Sequence, residues 1–195
     1  MAASAPIFPA NVPIPVDLFV SKNHSGIPRG DIRFGDSSDH IVYRVHRESS
    51  KSSPLKQKVV FDSTGNPLFS IYRRHGGDWQ GFKGDGREEK DLIFRVQRTL
   101  KTFNRIELEV FFVGGQDFGD NSKPDLIKVK GCPFQRSCTI YKGDSIVAQT
   151  SLMYKLNQIY ARRSRFRVTI FPGSIDHALV VAFVVIFFDG RKYWN

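Results

Sequence analysis

Two cysteines, two methionines and two tryptophans are all that the 195 residues hold of these three types. Cys132 and Cys138 stand close together with no Cys or His cluster around them, so neither a structural zinc site nor a disulfide framework is indicated. The expectation is a pair of reduced thiols in an intracellular protein. Long apolar runs are scarce as well. Residues 178–188, ALVVAFVVIFF, form the one extended apolar stretch, and a bilayer core of about 30 Å takes roughly 20 residues of helix. Asp176 and His177 on one side and Asp189, Arg191 and Lys192 on the other close the run with charge. It reads as buried core, with no integral membrane span.

Targeting and catalytic signatures are missing too. The opening MAASAPIFPANVPIP carries four prolines and neither a basic nor an apolar signal region, so no secretory leader is expected and residues 1–16 are expected to be a flexible proline-rich segment. Ala follows the first Met and the last residues read KYWN, so neither myristoylation nor prenylation is expected. In an intracellular protein the sequon Asn23-His24-Ser25 has no use. The glycine-rich GGDWQGFKGDGREEK matches neither a phosphate-binding loop nor a dinucleotide fingerprint, and no G-x-S-x-G occurs. Histidines 24, 40, 46, 75 and 177 show no metal-binding spacing. The expectation is a protein that is not an enzyme and carries no catalytic residue, metal or cofactor.

Acidic residues are the remaining deficit. Twenty-nine Lys and Arg face 19 Asp and Glu, for a formal charge of +10 and a pI near 9.8. The excess sits in residues 51–100 and 151–195. Such an imbalance speaks of anionic partners, a membrane surface or nucleic acid, and not of fold.

What the chain has in plenty is phenylalanine, 17 residues, together with many Val and Ile, which favours strands. HIVYRVH places Ile41, Tyr43 and Val45 on one face. QKVVFDSTGNPLFSIYRR reads as two strands around a turn at Ser63–Pro67. NRIELEVFFV sets Ile106, Leu108, Val110 and Phe112 against Glu107 and Glu109, and RFRVTIF sets Phe166, Val168 and Ile170 against Arg165, Arg167 and Thr169. DLIFRVQR, DLIKVKG and SCTIYKGDSIVAQ repeat the habit. Roughly a dozen strands at 8–12-residue spacing point to an all-β sandwich or barrel.

The apolar run is the exception. Val180, Val181, Val184, Val185 and Ile186 are β-branched and favour a strand by local preference. Its length, a capping Ser174 or Asp176 at the start and Gly190 at the end favour a helix over 175–188. A helix apolar all round must be buried all round, and a closed sheet wide enough to hold one offers the place.

KDLIFRVQRT, KVKGCPFQRSCTIYKGDSIVAQ and FRVTIFPGSIDHALVVAFVVIFFD, in this order, resemble the plant LURP-one-related family, whose fold is similar to the tubby C-terminal domain and to phospholipid scramblases. The match runs from about Asp17 onward. The resemblance implies one domain over residues 17–195, a closed antiparallel barrel of about twelve strands around a buried C-terminal helix. Ala178, Val181, Val184, Val185 and Phe188 are then core positions of that helix, and His177 opens it. It also implies a plant protein, with at least one relative tied to pathogen defence.

Tubby-like domains bind phosphoinositide headgroups through basic residues on the outer barrel face. Residues of this chain suited to that task are Arg163, Arg165 and Arg167, with Arg162 beside them. Alternate residues of a strand share a face about 7 Å apart and can meet several phosphates. Arg73 and Arg74 form a second basic patch. The plainer reading of both is a solvated strand face with arginines paired to local acids. Scramblase-like Ca²⁺ binding is not expected, because FPGSIDHALVV offers only Asp176 where six to eight oxygens are needed. The functional expectation is a monomeric, non-enzymatic module for anionic phospholipid headgroups, cytoplasmic and peripheral at the plasma membrane or nuclear. A nucleic-acid-binding, transcription-associated role and a protein-interaction role are the alternatives.

Overall fold

The computed structural model describes residues 14–22, 28, 30–48, 57–102, 104–113, 126–153, 165–173 and 175–189. Arg162, Arg163, Ser174 and Gly190, the sequon at Asn23 and most of the proline-rich segment 1–16 lie outside them.

Twelve strands follow one another along the chain: β1 (Val16–Lys22), β2 (Ile32–Gly35), β3 (Ile41–Glu48), β4 (Gln57–Phe61), β5 (Pro67–Arg73) and β6 (Trp79–Lys83), then β7 (Leu92–Lys101), β8 (Ile106–Phe112), β9 (Ile127–Cys132), β10 (Ser137–Lys142), β11 (Ser145–Leu152) and β12 (Arg165–Ile170). Each pairs antiparallel with its neighbours in sequence, and β1 closes the ring on β12 from Val16↔Ile170 to Ser21↔Arg165. The result is an up-and-down barrel with no open edge, the arrangement that removes the hazard of unpaired strands. The alternation expected from sequence decides what faces in. Leu108 and Val110 are buried while Glu107 and Glu109 face out, where they lie within 3.7 Å and 3.6 Å of Lys130 and Lys128 on β9. At the β4–β5 turn the Asp62 carboxylate accepts hydrogen bonds from Thr64 and Asn66, which hold it down to about 2.

The lumen is filled by α1 (His177–Phe187), somewhat shorter than the 175–188 read from sequence. Asp176 is its cap, accepting from the Ala178 N–H at 2.7 Å, and from Ala178 to Phe187 every residue is buried, as is Phe188 beyond. Five β-branched residues form a helix here for a topological reason. With every barrel strand already paired on both sides, an extended segment inside would leave its N–H and C=O groups without partners, whereas a helix satisfies them internally. That requirement outweighs a propensity deficit of a few tenths of a kcal/mol per residue.

Helix and wall are fitted by aromatic contacts. Phe94 of β7 meets Phe183 edge-on with centroids 5.2 Å apart, and Phe166 of β12 meets Phe188 at 5.1 Å. The Phe94 ring also lies across Gly81 of β6, where a Cβ would collide with it, so a residue without a side chain permits this packing. Burial pushes the Cys138 thiol up. It and Cys132 are both free thiols on adjoining strands.

Candidate functional site

Inward alternation does not stop where the apolar residues do. On β3 the face of Val45 continues to Arg47, on β4 that of Val60 reaches Lys58, and on β5 that of Phe69 and Ile71 ends in Arg73. On β6 the corresponding residue is Trp79, and on β7 the face of Phe94 and Val96 continues to Arg98. These five strands are consecutive in the sheet, so one arc of one barrel mouth is lined by cations and an indole. It is the mouth at which α1 ends.

Asp189, just past that helix, is the shared counter-charge. Its carboxylate is 2.7 Å from Lys58 Nζ, 3.3 Å from an Arg47 guanidinium nitrogen and 3.4 Å from one of Arg73. Lys58 and Asp189 are almost wholly enclosed, at 2% and 4% exposure, while Arg47 and Arg73 keep 40% and 35%. Lys58 also donates to the Val185 carbonyl at 3.2 Å, one of the helix-terminal carbonyls that attract cations. The Trp79 ring is flanked by Lys58 Nζ at 5.1 Å and by the Arg73 guanidinium at 5.7 Å from its centroid, within cation–π range. Burial pushes Lys58 down to about 8, with Arg47 and Arg73 acting in the same direction and Asp189 opposing them. Two buried donors in this arc, Trp79 Nε1 and Arg98 Nε, have no hydrogen-bond acceptor among the described residues.

The residues singled out from sequence divide among several places. Arg165 and Arg167 stand on the exposed face of β12, with Phe166 and Val168 turned into the core. Arg167 approaches Asp17 of β1 at 3.4 Å, and the same carboxylate accepts from the Thr169 hydroxyl at 2.6 Å. On the neighbouring strands Phe19 and Ser21 of β1 and Ser151 of β11 are in register with this pair, so Asp17 is the local acid. Arg73 and Arg74, consecutive in sequence, do not share a surface. Arg73 turns to Asp189, and Arg74 is exposed beyond the end of β5. Arg47, Lys58, Arg98 and Asp189 were not singled out from sequence, although the period-two pattern ending in each basic residue was present. Ala178, Val181, Val184, Val185 and Phe188 are all buried as expected. Among the described residues no group of three or more His, Cys, Asp and Glu could hold a metal ion, and no helix is long and apolar enough to cross a membrane. His46 Nδ1 lies 2.7 Å from the buried Asp31 carboxylate and joins β3 to the start of β2.

These features define a class: an antiparallel barrel of twelve strands, filled by its own C-terminal helix and bearing cations at the mouth where that helix ends. The chain belongs to the LURP-one-related family, whose model matches residues 16–189. It is 55% identical over 177 residues to LURP-one-related 7 of Arabidopsis thaliana, covering 91% of each chain. With LURP-one-related 15 of the same plant it shares 25% identity over 185 residues, 92% of this chain and 82% of the relative. An X-ray structure of an Arabidopsis thaliana protein, 25% identical, matches with a TM-score of 0.62 over 91% of both chains.

Proposed function

We propose that this LURP-one-related chain is a non-catalytic module that docks on anionic phospholipid surfaces through the outer face of β12, with a preference for phosphoinositide headgroups. The observation that carries the reading is the pair Arg165 and Arg167, exposed on one strand face whose neighbouring strands contribute Phe19, Ser21 and Ser151 in register and Asp17 as the local acid. Alternate strand positions stand about 7 Å apart, so a clustered polyphosphate headgroup can meet both guanidinium forks at once. A single carboxylate shared with Thr169 engages one of them. The overall charge of +10 adds long-range attraction to any anionic surface.

Vesicle sedimentation tests the reading. The protein is expected to bind vesicles containing phosphatidylinositol 4,5-bisphosphate more tightly than phosphatidylserine vesicles of equal charge. Arg165→Ser with Arg167→Ser should weaken binding about tenfold or more, at roughly 1 kcal/mol per charge near the surface. Unchanged vesicle affinity in the double variant overturns it, and stronger binding to duplex DNA than to vesicles at the same salt favours the nucleic-acid alternative.

A further inference from the structure

The cation-lined mouth is a different place from the outer face of β12, and it has an asymmetry that fold stability does not require. Three cations from three adjacent strands, Arg47, Lys58 and Arg73, converge on one carboxylate. Lys58 makes the shortest contact to that carboxylate and is itself enclosed. A single buried Lys–Asp pair would complete the end of α1. The two arginines instead contribute one N–H contact each to Asp189 at 3.3 Å and 3.4 Å, and each guanidinium has five N–H donors in a planar fork. Both remain more than a third exposed, so donors not used on Asp189 stay accessible.

Arg98 adds a fourth basic group to the same arc, with Nη1 3.3 Å from where a Cβ on Gly77 would stand. Its Nε and the Trp79 Nε1 are buried N–H donors without an acceptor among the described residues. Buried donors are nearly always satisfied, and an exception calls for a partner. Along the arc from β3 to β7 the imbalances among the described residues have one sign. Donors exceed acceptors, and Arg47, Lys58 and Arg73 exceed Asp189 by two positive charges. A ligand that restores both would be compact, would carry about two negative charges and would only accept hydrogen bonds. A phosphate monoester meets these terms, with a charge of about −1.5 to −2 at neutral pH and three acceptor oxygens. A single carboxylate supplies half the charge.

We propose that the barrel mouth at the end of α1 is a binding site for a phosphate monoester group, held by the Arg47 and Arg73 guanidinium forks with Arg98 at its edge. Lys58 and Asp189 are positioning residues that fix the two arginines from below, and the Trp79 ring is the surface on which Lys58 and Arg73 rest. The phosphate can belong to a soluble phosphorylated metabolite or to a phosphorylated lipid headgroup, and the chemistry of recognition is the same.

Calorimetric titration of the full chain with inositol 1,4,5-trisphosphate, and with unphosphorylated myo-inositol as control, tests the site. Binding is expected for the first and not for the second. Arg47→Gln with Arg73→Gln should weaken it at least tenfold while Asp189 keeps Lys58 as its partner. Arg165→Ser with Arg167→Ser should leave it unchanged, which separates this site from the docking face. With Trp194→Phe, Trp79 is the one tryptophan left, and its fluorescence should change along the same titration curve. Should the double glutamine variant fail to give a cooperative melt, Arg98→Gln, expected to weaken binding severalfold, takes its place. Loss of soluble binding together with loss of phosphoinositide-vesicle binding assigns the site to a headgroup. Loss of soluble binding alone assigns it to a free phosphorylated compound. No heat and no fluorescence change with millimolar trisphosphate, or wild-type affinity in the arginine variants, overturns the proposal.

Discussion

Lys58 and Asp189 are 131 positions apart in sequence and 2.7 Å apart in the fold. The pair ties β4 to the far end of the helix inside the barrel, and both groups are enclosed. Removing one member of a buried pair leaves an uncompensated charge, at about 3–5 kcal/mol, whereas replacing both is far milder. Asp189→Asn, which strands the buried lysine, is expected to destabilise by about that amount, and Lys58→Met by less, because Arg47 and Arg73 still face the Asp189 carboxylate. The double variant should lose much less than their sum. Urea denaturation of the four proteins gives the coupling directly, and additive losses would mean that the pair makes no net contribution.

A pH dependence follows from the same lysine. An exposed lysine titrates near 10.5, and burial brings Lys58 down to about 8 despite Asp189, with Arg47 and Arg73 assisting. Between these values the unfolded chain binds a proton that the folded chain does not. Stability contributed by this group therefore rises with pH across that window, by up to about 3 kcal/mol. The unfolding free energy of wild type minus that of Lys58→Met should shift in favour of wild type between pH 7.5 and 10.5. A difference that stays flat would place the lysine proton at its ordinary value.

Val184 is fully buried on α1, and a carboxylate there would have no partner on an apolar helix. Val184→Asp is expected to prevent folding, since an unpaired buried charge costs several kcal/mol against a typical total stability of about 5–15 kcal/mol. Phe183→Ala is the graded counterpart. It removes the ring that meets Phe94 and should cost about 3–5 kcal/mol, read from the shift of a thermal melt.

Gly81 offers the smallest possible change with a large effect. A single methyl there collides with the Phe94 ring, and that ring cannot retreat because Phe183 lies behind it. Gly81→Ala should destabilise by about 1–3 kcal/mol, the usual consequence of overpacking. Combining it with Phe94→Leu should recover part of the loss in the same chemical-denaturation assay.

The barrel was legible in the sequence because its strands alternate cleanly, as Ile106, Leu108 and Val110 do against Glu107 and Glu109. The helix was legible because the run from Ala178 to Phe188 is too long and too uniformly apolar for any other buried element. Its cap was narrowed to Ser174 or Asp176, and Asp176 fills the role. The mouth was harder to see. RVHRE, QKVVF and SIYRR look like strands entering solvent, and a basic residue at a strand end is ordinarily a surface residue. Period two does put Arg47 in line with Val45, Lys58 with Val60 and Arg73 with Ile71, and it separates Arg73 from Arg74. No local pattern brings Asp189 to them, because its position depends on the helix passing through the closed ring. The convergence is a property of topology, which one strand's periodicity cannot carry.

The order of elements along the chain also determines when the fold can form. The element that fills the core is preceded by all twelve strands, and the ring closes only when β12 reaches β1, some 150 residues upstream. At ribosomal speeds of about 5–20 residues per second, β1 waits roughly 10–30 s for the helix. Through that interval the nascent sheet has an empty interior and two unpaired edges. Closure of the barrel around its helix thus cannot precede synthesis of that helix, and until then the strand edges are open to pairing with other copies.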